Sequence, residues 1–310
     1  MMIEIENLVK RYGDFLAINH LDLQVQKGDI LGLLGPNGSG KSTTINCILS
    51  LLSYDRGSIK IFGEDMAPNK YNIKQKIGVV PQEIAVFEEL SVKDNIDYYC
   101  GLYITDKKIR TQYVNEVIAL VGLEEFCKFF PKQLSGGLKR RLNIACGIVH
   151  KPELIFLDEP TVAVDPQSRN KILESIKELN RQGATIVYTT HYMEEVEILC
   201  NKIVIIDQGQ VIAEGTKEQL KNMVRTSEKV VMEVPDISQA QLKAISQLPG
   251  ISEISYDELY LTLYTKELKL SMLPVLSYFE QEAIPYANLV TEEATLNDVF
   301  LEITGKELRD

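Results

Sequence analysis

The chain has 310 residues, 45% of them hydrophobic and 25% charged, which supplies cores for about two globular domains and excludes a disordered chain. Lys and Arg number 33 against 44 Asp and Glu, and the resulting net charge of −11 argues against a general affinity for nucleic-acid phosphates or anionic lipid headgroups. The five cysteines form no C-x-x-C pair, so reduced thiols in a cytosol are expected, and no apolar run approaches the roughly 20 residues of a membrane span.

Met2 to Ile5 and Leu21 to Val25 read as strands, and a Lys27-Gly28-Asp29 turn leads into apolar Ile30 to Leu34. That run feeds Gly35-Pro36-Asn37-Gly38-Ser39-Gly40-Lys41-Ser42-Thr43, which fits G-x-x-x-x-G-K-[ST] and precedes a helix expected over Lys41 to Leu52. Glycines in such a loop let backbone N–H groups wrap a polyphosphate, and the helix N-terminus adds positive potential. Lys41 brings a point charge, and the Ser42 hydroxyl can ligate Mg2+. The chain is therefore expected to bind a nucleoside triphosphate.

Strands follow at Ser58 to Phe62 and Ile77 to Val80. From about 91 to 149 the spacing turns helical, as in Val114, Val117, Ile118 and Val121, and marks an inserted helical subdomain. Within it, Leu134-Ser135-Gly136-Gly137-Leu138 opens a helix with Ser135 as N-cap and two glycines that leave backbone N–H groups accessible. Alone, that is ordinary helix punctuation. Beside a phosphate loop it makes sense as a second anion-binding end, if two subunits meet head to tail and each lends this turn to the other's nucleotide.

Leu154 to Leu157, Ala184 to Thr189 and Ile203 to Ile206 are apolar strands, and with a helix over Pro166 to Gln182 they give a βαβ rhythm and a parallel sheet. The first ends in Asp158-Glu159-Pro160. Two carboxylates at the end of a buried strand require something cationic opposite, so Asp158 is expected to hold nucleotide-bound Mg2+ and Glu159 to polarise the attacking water. Asp207-Gln208-Gly209-Gln210 reads as a hairpin turn.

A polar stretch at Asn222 to Glu228 separates a first domain, 1–222, from a second, 229–310. The latter's β-α-β-β-α-β order suggests a ferredoxin-like α+β fold. Its last helix, Thr295 to Thr304, carries Leu296, Val299, Phe300 and Ile303 on one face, for packing on the tail's own sheet or for a partner.

The phosphate loop, Leu134 to Leu138 and Leu154 to Pro160, in this order, resemble the ATP-binding subunit of an ABC transporter over about residues 1–220. The resemblance implies an α/β P-loop ATPase with an antiparallel β subdomain besides the helical insert. It also implies roles for four further residues: Tyr12 stacks on adenine, Gln82 senses Mg2+ and water, Asp165 crosses a dimer interface, and His191 contacts the terminal phosphate. Catalysis would then rest on Glu159, His191 and Gln82, the metal on Ser42, Gln82 and Asp158, and the cofactors would be ATP and Mg2+. The implied partners are an integral membrane permease and a second ATP-binding subunit, a homodimer, with no nucleic acid. The implied location is cytoplasmic, bound to the inner face of the cell membrane through the permease. Thr295-Leu296-Asn297-Asp298-Val299-Phe300-Leu301 looks like an element of drug-resistance-type exporters and favours export.

Two departures stand out: Leu138 replaces the usual Gln, and Val162-Ala163-Val164 replaces the usual Ser-Gly-Leu before Asp165, which puts communication between two sites in doubt. The competing readings are a soluble ABC-type ATPase acting on ribosomes or DNA, and a nucleotide-sensing regulator whose tail binds a ligand.

Overall fold

β1 (Ile3–Tyr12) and β2 (Phe15–Val25) form a long hairpin in the computed structural model, which describes residues 1–223, 228–265, 268–292 and 295–305. Both strands run further than their sequence suggests. Register shifts between Ile5 and Leu8 and between Leu8 and Lys10, with Asn7 at φ 52°, break the alternation that marks a strand, so the outer half reads as a loop. β3 (Ile30–Leu34) leads to α1 (Lys41–Ile48), which ends short of Leu52 where Ser50 turns left-handed at φ 54°. β4 (Arg56–Ile61) and β5 (Glu64–Asp65) complete an antiparallel sheet in the order β2-β1-β4-β5.

After the single-turn α2 (Tyr71–Lys74) and β6 (Ile77–Val80) come the helices of the insert, α3 (Val92–Gly101), α4 (Lys107–Val121) and α5 (Gly136–Ile148). Ser91, Asp106 and Ser135 cap them, each side chain accepting from a first-turn N–H, and Val114, Val117, Ile118 and Leu142 form their shared core. β7 (Leu154–Asp158), α6 (Pro166–Arg181), β8 (Thr185–Thr189), α7 (Met193–Leu199), β9 (Lys202–Asp207) and β10 (Gln210–Gly215) follow.

The central sheet has the order β10-β9-β3-β8-β7-β6, parallel except for β10 at its edge. β3, β7 and β8 are almost wholly buried, as their unbroken apolar runs require of parallel strands covered on both faces. The carboxyl ends of β3, β6, β7 and β8 deliver Gly35, Gln82, Asp158 and His191 to one rim, where ligands bind in open parallel sheets.

This first compact unit is Met1–Thr216, and a second is Lys217–Lys306. The second begins before the expected boundary because α8 (Lys217–Met223), with Leu220 fully buried, packs against the last helix of the chain. Residues 224–227, in the middle of that expected boundary, lie outside the described residues. β11 (Glu228–Glu233), α9 (Gln239–Ser246), β12 (Ile251–Asp257), β13 (Tyr260–Thr265), α10 (Leu268–Gln281), β14 (Ala287–Glu292) and α11 (Leu296–Thr304) make up the unit. Its antiparallel sheet has the order β12-β13-β11-β14, the ferredoxin-like arrangement. Val230, Met232, Leu261 and Leu263 pack there with Leu242, Val275 and Phe279 of the two sheet-covering helices. The Leu296, Val299 and Phe300 face of α11 is buried, and α11 lies on α8 rather than in the core of the tail's own sheet.

Candidate active site

The rim of the parallel sheet opens into a cleft of about 780 Å³ that gathers Tyr12, Asn37 to Thr43, Gln82, Asp158, Glu159 and His191. Its floor is the loop between β3 and α1. Gly40 holds φ 106° with the Ala17 carbonyl 2.7 Å from where a Cβ would stand, so only glycine fits this turn. α1 starts at Gly40 with no side-chain cap, so its first-turn N–H groups receive no acceptor from a side chain. Ser39 Oγ is buried beside them without a hydrogen-bond partner. Lys41 Nζ donates to the carbonyls of Gly35 at 2.7 Å and Pro36 at 3.1 Å, bent back over its own loop. Burial pushes the Lys41 ammonium below its ordinary value, against the opposing pull of Glu159 and Asp158. Orphaned N–H groups and a partly desolvated ammonium are what a polyphosphate satisfies.

β7 and β8 build the acidic wall. Thr189 Oγ1 donates to Asp158 Oδ1 at 2.6 Å and accepts the Glu159 N–H at 3.0 Å, fixing the Asp158 carboxylate and the Glu159 backbone from behind. Glu159 sits at φ 46°, a left-handed conformation that favours glycine, and such strain concentrates at functional sites. Its side chain meets two other expected residues: Gln82 Nε2 donates to Oε2 at 3.1 Å, and His191 Nδ1 lies 3.7 Å from Oε1. Exposed Ser42 and half-buried Asp158 both line the cleft. Among the described residues no group of three His, Cys, Asp or Glu could hold a metal. One carboxylate and one hydroxyl nonetheless fit Mg2+, which keeps waters and takes further oxygens from phosphates.

Ser135, Gly136, Gly137 and Asp165 are not in this cleft. Ser135 and Asp165 line a separate hollow of about 630 Å³ between α5 and α6. Ser135 Oγ accepts from the Leu138 N–H at 3.3 Å, and Asp165 Oδ1 accepts from the Ser168 N–H at 2.9 Å. Those Ser168 hydrogen bonds hold the Asp165 carboxyl below its ordinary value. Gly136 is exposed, and the nearest neighbour of a Cβ placed on it would be the Ala163 carbonyl, 4.0 Å away. Gly137 is buried, and a Cβ there would collide with Ser168 and stand 2.7 Å from the Asp165 carboxylate.

Sequence reasoning missed several residues of the site. Phe15, 63% exposed, faces the cleft from the strand register position opposite Tyr12, itself 47% exposed. An aromatic pair straddling Gly13-Asp14 is the signal that could have found it. Arg140 Nη1 donates to the Gln82 carbonyl at 2.6 Å, and Asn143 Nδ2 to the Pro81 carbonyl at 3.2 Å, so the helix that opens at Ser135 grips the loop that presents Gln82. Nothing local marks Thr189, Arg140 or Asn143, because each acts on backbone or side chains remote in sequence.

Fold and cleft together define a P-loop nucleotide-binding protein of the type with a helical insert. The family described as ABC transporter matches residues 18–162, and a narrower match to an AAA domain, putative AbiEii toxin, type IV TA system, covers 131–197. The linearmycin resistance ATP-binding protein LnrL of Bacillus subtilis (strain 168) is 40% identical over 100% of both chains. The Nod factor export ATP-binding protein I of Cupriavidus pinatubonensis (strain JMP 134 / LMG 1197) is 34% identical over 100% of this chain and 92% of its own. Among solved structures, the dimeric, post-hydrolysis ATP-binding cassette MJ0796 bound to ADP and Pi superposes with a TM-score of 0.63 at 27% identity, covering 69% of this chain and 98% of that one. The chain belongs to the ATP-binding subunits of ABC transporters.

Proposed function

We propose that this subunit hydrolyses ATP between two copies of itself and uses their closure to drive a separate membrane-spanning permease that exports its cargo. The observation that carries this reading is the convergence of the phosphate loop, Asp158, Glu159, Gln82 and His191 on one cleft, while Ser135 and Asp165 line another. A site split in this way is complete only when a second subunit brings its Ser135 turn to the first one's phosphates. In the closed pair Lys41 and the α1 N–H groups hold the phosphates, and Tyr12 stacks on the base. Glu159 orients water, held by Gln82 and His191, and takes up its proton. Bound Mg2+ would be held by Ser42, Asp158 and Gln82, and supplies neutralisation of the phosphate charge.

Export is supported by the relatives' names, one for linearmycin resistance and one for Nod factor export, and these share no cargo. Among the described residues no helix is long and apolar enough to cross a membrane, so the membrane path is assigned to the permease and this subunit to the inner face. Co-purification with a polytopic membrane protein, followed by ATPase assay of the complex, tests the proposal. Recovery with ribosomes or DNA instead would transfer the chain to the soluble ATPases of its family.

A further inference from the structure

Glu195 lies on α7, wholly buried, and takes no part in the cleft lining. Its Oε2 accepts hydrogen bonds from Tyr188 at 2.6 Å, Thr190 at 2.8 Å and Thr161 at 2.9 Å, and its Oε1 accepts from Arg169 Nε at 2.6 Å. Each donor adjoins a segment of the site. Thr161 follows Glu159-Pro160 and opens the run to Asp165, and Thr190 immediately precedes His191. Arg169 lies one turn into α6, its N–H bonded to the Asp165 carbonyl at 2.9 Å. The same arginine also reaches His191 by a second route. Its guanidinium carbon stands 4.5 Å from the centre of the Tyr192 ring, and that ring lies 4.1 Å from the His191 ring. The Tyr192 N–H donates to Thr190 Oγ1 at 3.0 Å, closing the circuit.

We infer that Glu195 is a positioning residue that ties His191 to the Asp165 segment through Arg169, so that the two shift together. A carboxylate without solvent persists only when it is paired and hydrogen-bonded, and four donors fill its lone-pair sites. Burial, and then the Glu195 charge, push the Tyr188 phenol well above its ordinary value, so it stays a donor. Sliding α6 against the end of β8 would strip a donor from a buried charge, which leaves no slack between the segment that meets the facing subunit and the histidine that meets the phosphate. The inference rests on the catalytic reading of the cleft.

The test compares Glu195→Gln, Arg169→Leu, the conservative Arg169→Lys and Tyr192→Leu in the full-length chain, with its membrane subunit where turnover requires it. Tyr192→Leu removes the ring contacts to His191 and Arg169 and leaves the buried pair intact, so it reports even if Glu195→Gln fails to fold. Expected are a fall in kcat of at least about tenfold in Glu195→Gln, Arg169→Leu and Tyr192→Leu, with KM and the equilibrium Kd for ATP within about twofold, and partial recovery in Arg169→Lys. The Glu195→Gln/Arg169→Leu pair should be no slower than the slower single variant. Wild-type kcat in Tyr192→Leu, or losses in the other variants that merely follow a lowered thermal midpoint, would overturn the inference and leave Glu195 a scaffold residue. Glu159→Gln is assayed in parallel. If it turns over normally the reading of the cleft has failed, whereas a slow Glu159→Gln beside normal Glu195 and Tyr192 variants sinks the coupling alone.

Discussion

Glu159 combines a strained backbone, a threonine bracing it from behind, and contacts to both Gln82 and His191. Glu159→Gln is expected to keep ATP affinity and to slow steady-state hydrolysis at least about a hundredfold, because the proton acceptor is lost while the phosphate contacts remain. Lys41→Ala acts on the other half of the chemistry. Removing a charge-assisted contact of about 1.5–3 kcal/mol should weaken ATP binding roughly tenfold to a hundredfold, read by equilibrium titration. Ala163 makes a third case. It adopts φ 57°, a left-handed conformation that favours glycine. Ala163→Gly should therefore raise stability by up to about 1 kcal/mol, visible as a higher thermal midpoint. The glycines, lysine and carboxylates were legible in the sequence because phosphate and metal chemistry admits few substitutes at fixed spacing. Thr189 and Arg140 were not, since a hydroxyl in a strand and a cation on a helix are ordinary until the fold shows what they touch.

The segment after Gln82 shows how an element divides its residues between core and surface. Val86 packs against the helical insert's core and Leu90 is half-buried, while Ile84 and Phe87 are 39% and 41% exposed, with Tyr98 edge-on to Phe87 at 4.9 Å. Sequence spacing does not separate the two pairs, because an irregular loop carries no period. Asn95 fixes the backbone by accepting from the Phe87 N–H at 2.8 Å and donating to the Leu90 carbonyl at 3.0 Å, so the exposed side chains are presented on a braced frame. With Ile84→Ser/Phe87→Ser, ATP binding and the thermal midpoint should stay near wild type while association with the membrane subunit is lost in co-purification. Retained association would show that Ile84 and Phe87 do not dock the membrane subunit. His150, just beyond α5, bears a different expectation. It stacks on Tyr103 at 3.8 Å, its Nε2 donates to the Ile77 carbonyl at 3.1 Å, and its buried Nδ1 has no partner. Burial lowers its pKa in the folded chain, so the unfolded chain binds the proton first. Its contribution to stability is full above about pH 6.5 and is lost as pH falls from there through the lowered folded value. The thermal midpoint should thus fall less between neutral pH and about pH 5.5 in His150→Gln than in the parent chain.

At the scale of the whole molecule, the sequence yielded the parallel sheet, the helical insert and the ferredoxin-like tail, since each declares itself by a hydrophobic period of its own. It missed α7 and α8, helices of seven residues whose buried faces are too short to establish a period, and with α8 it misplaced where the second unit begins. The phosphate loop and the Ser135 turn lie at separate hollows of one subunit, and under the proposed pairing that separation makes a prediction no single residue can. Gly136 is exposed with space around it, so Gly136→Asp should fold normally and fail by repelling the facing subunit's phosphates, whereas Gly137→Asp would disrupt its own subunit against Ser168 and Asp165. In a head-to-tail pair of Lys41→Ala with Gly136→Asp, one composite site contains both defects and the other contains neither. At ATP well below saturation each variant alone should be largely inactive, and an equimolar mixture should recover up to about a quarter of wild-type hydrolysis by random pairing. Recovery requires that one intact site turn over by itself. Absence of recovery at every mixing ratio, with both variants folded and pairing, would show that phosphate loop and Ser135 turn do not complement each other across subunits.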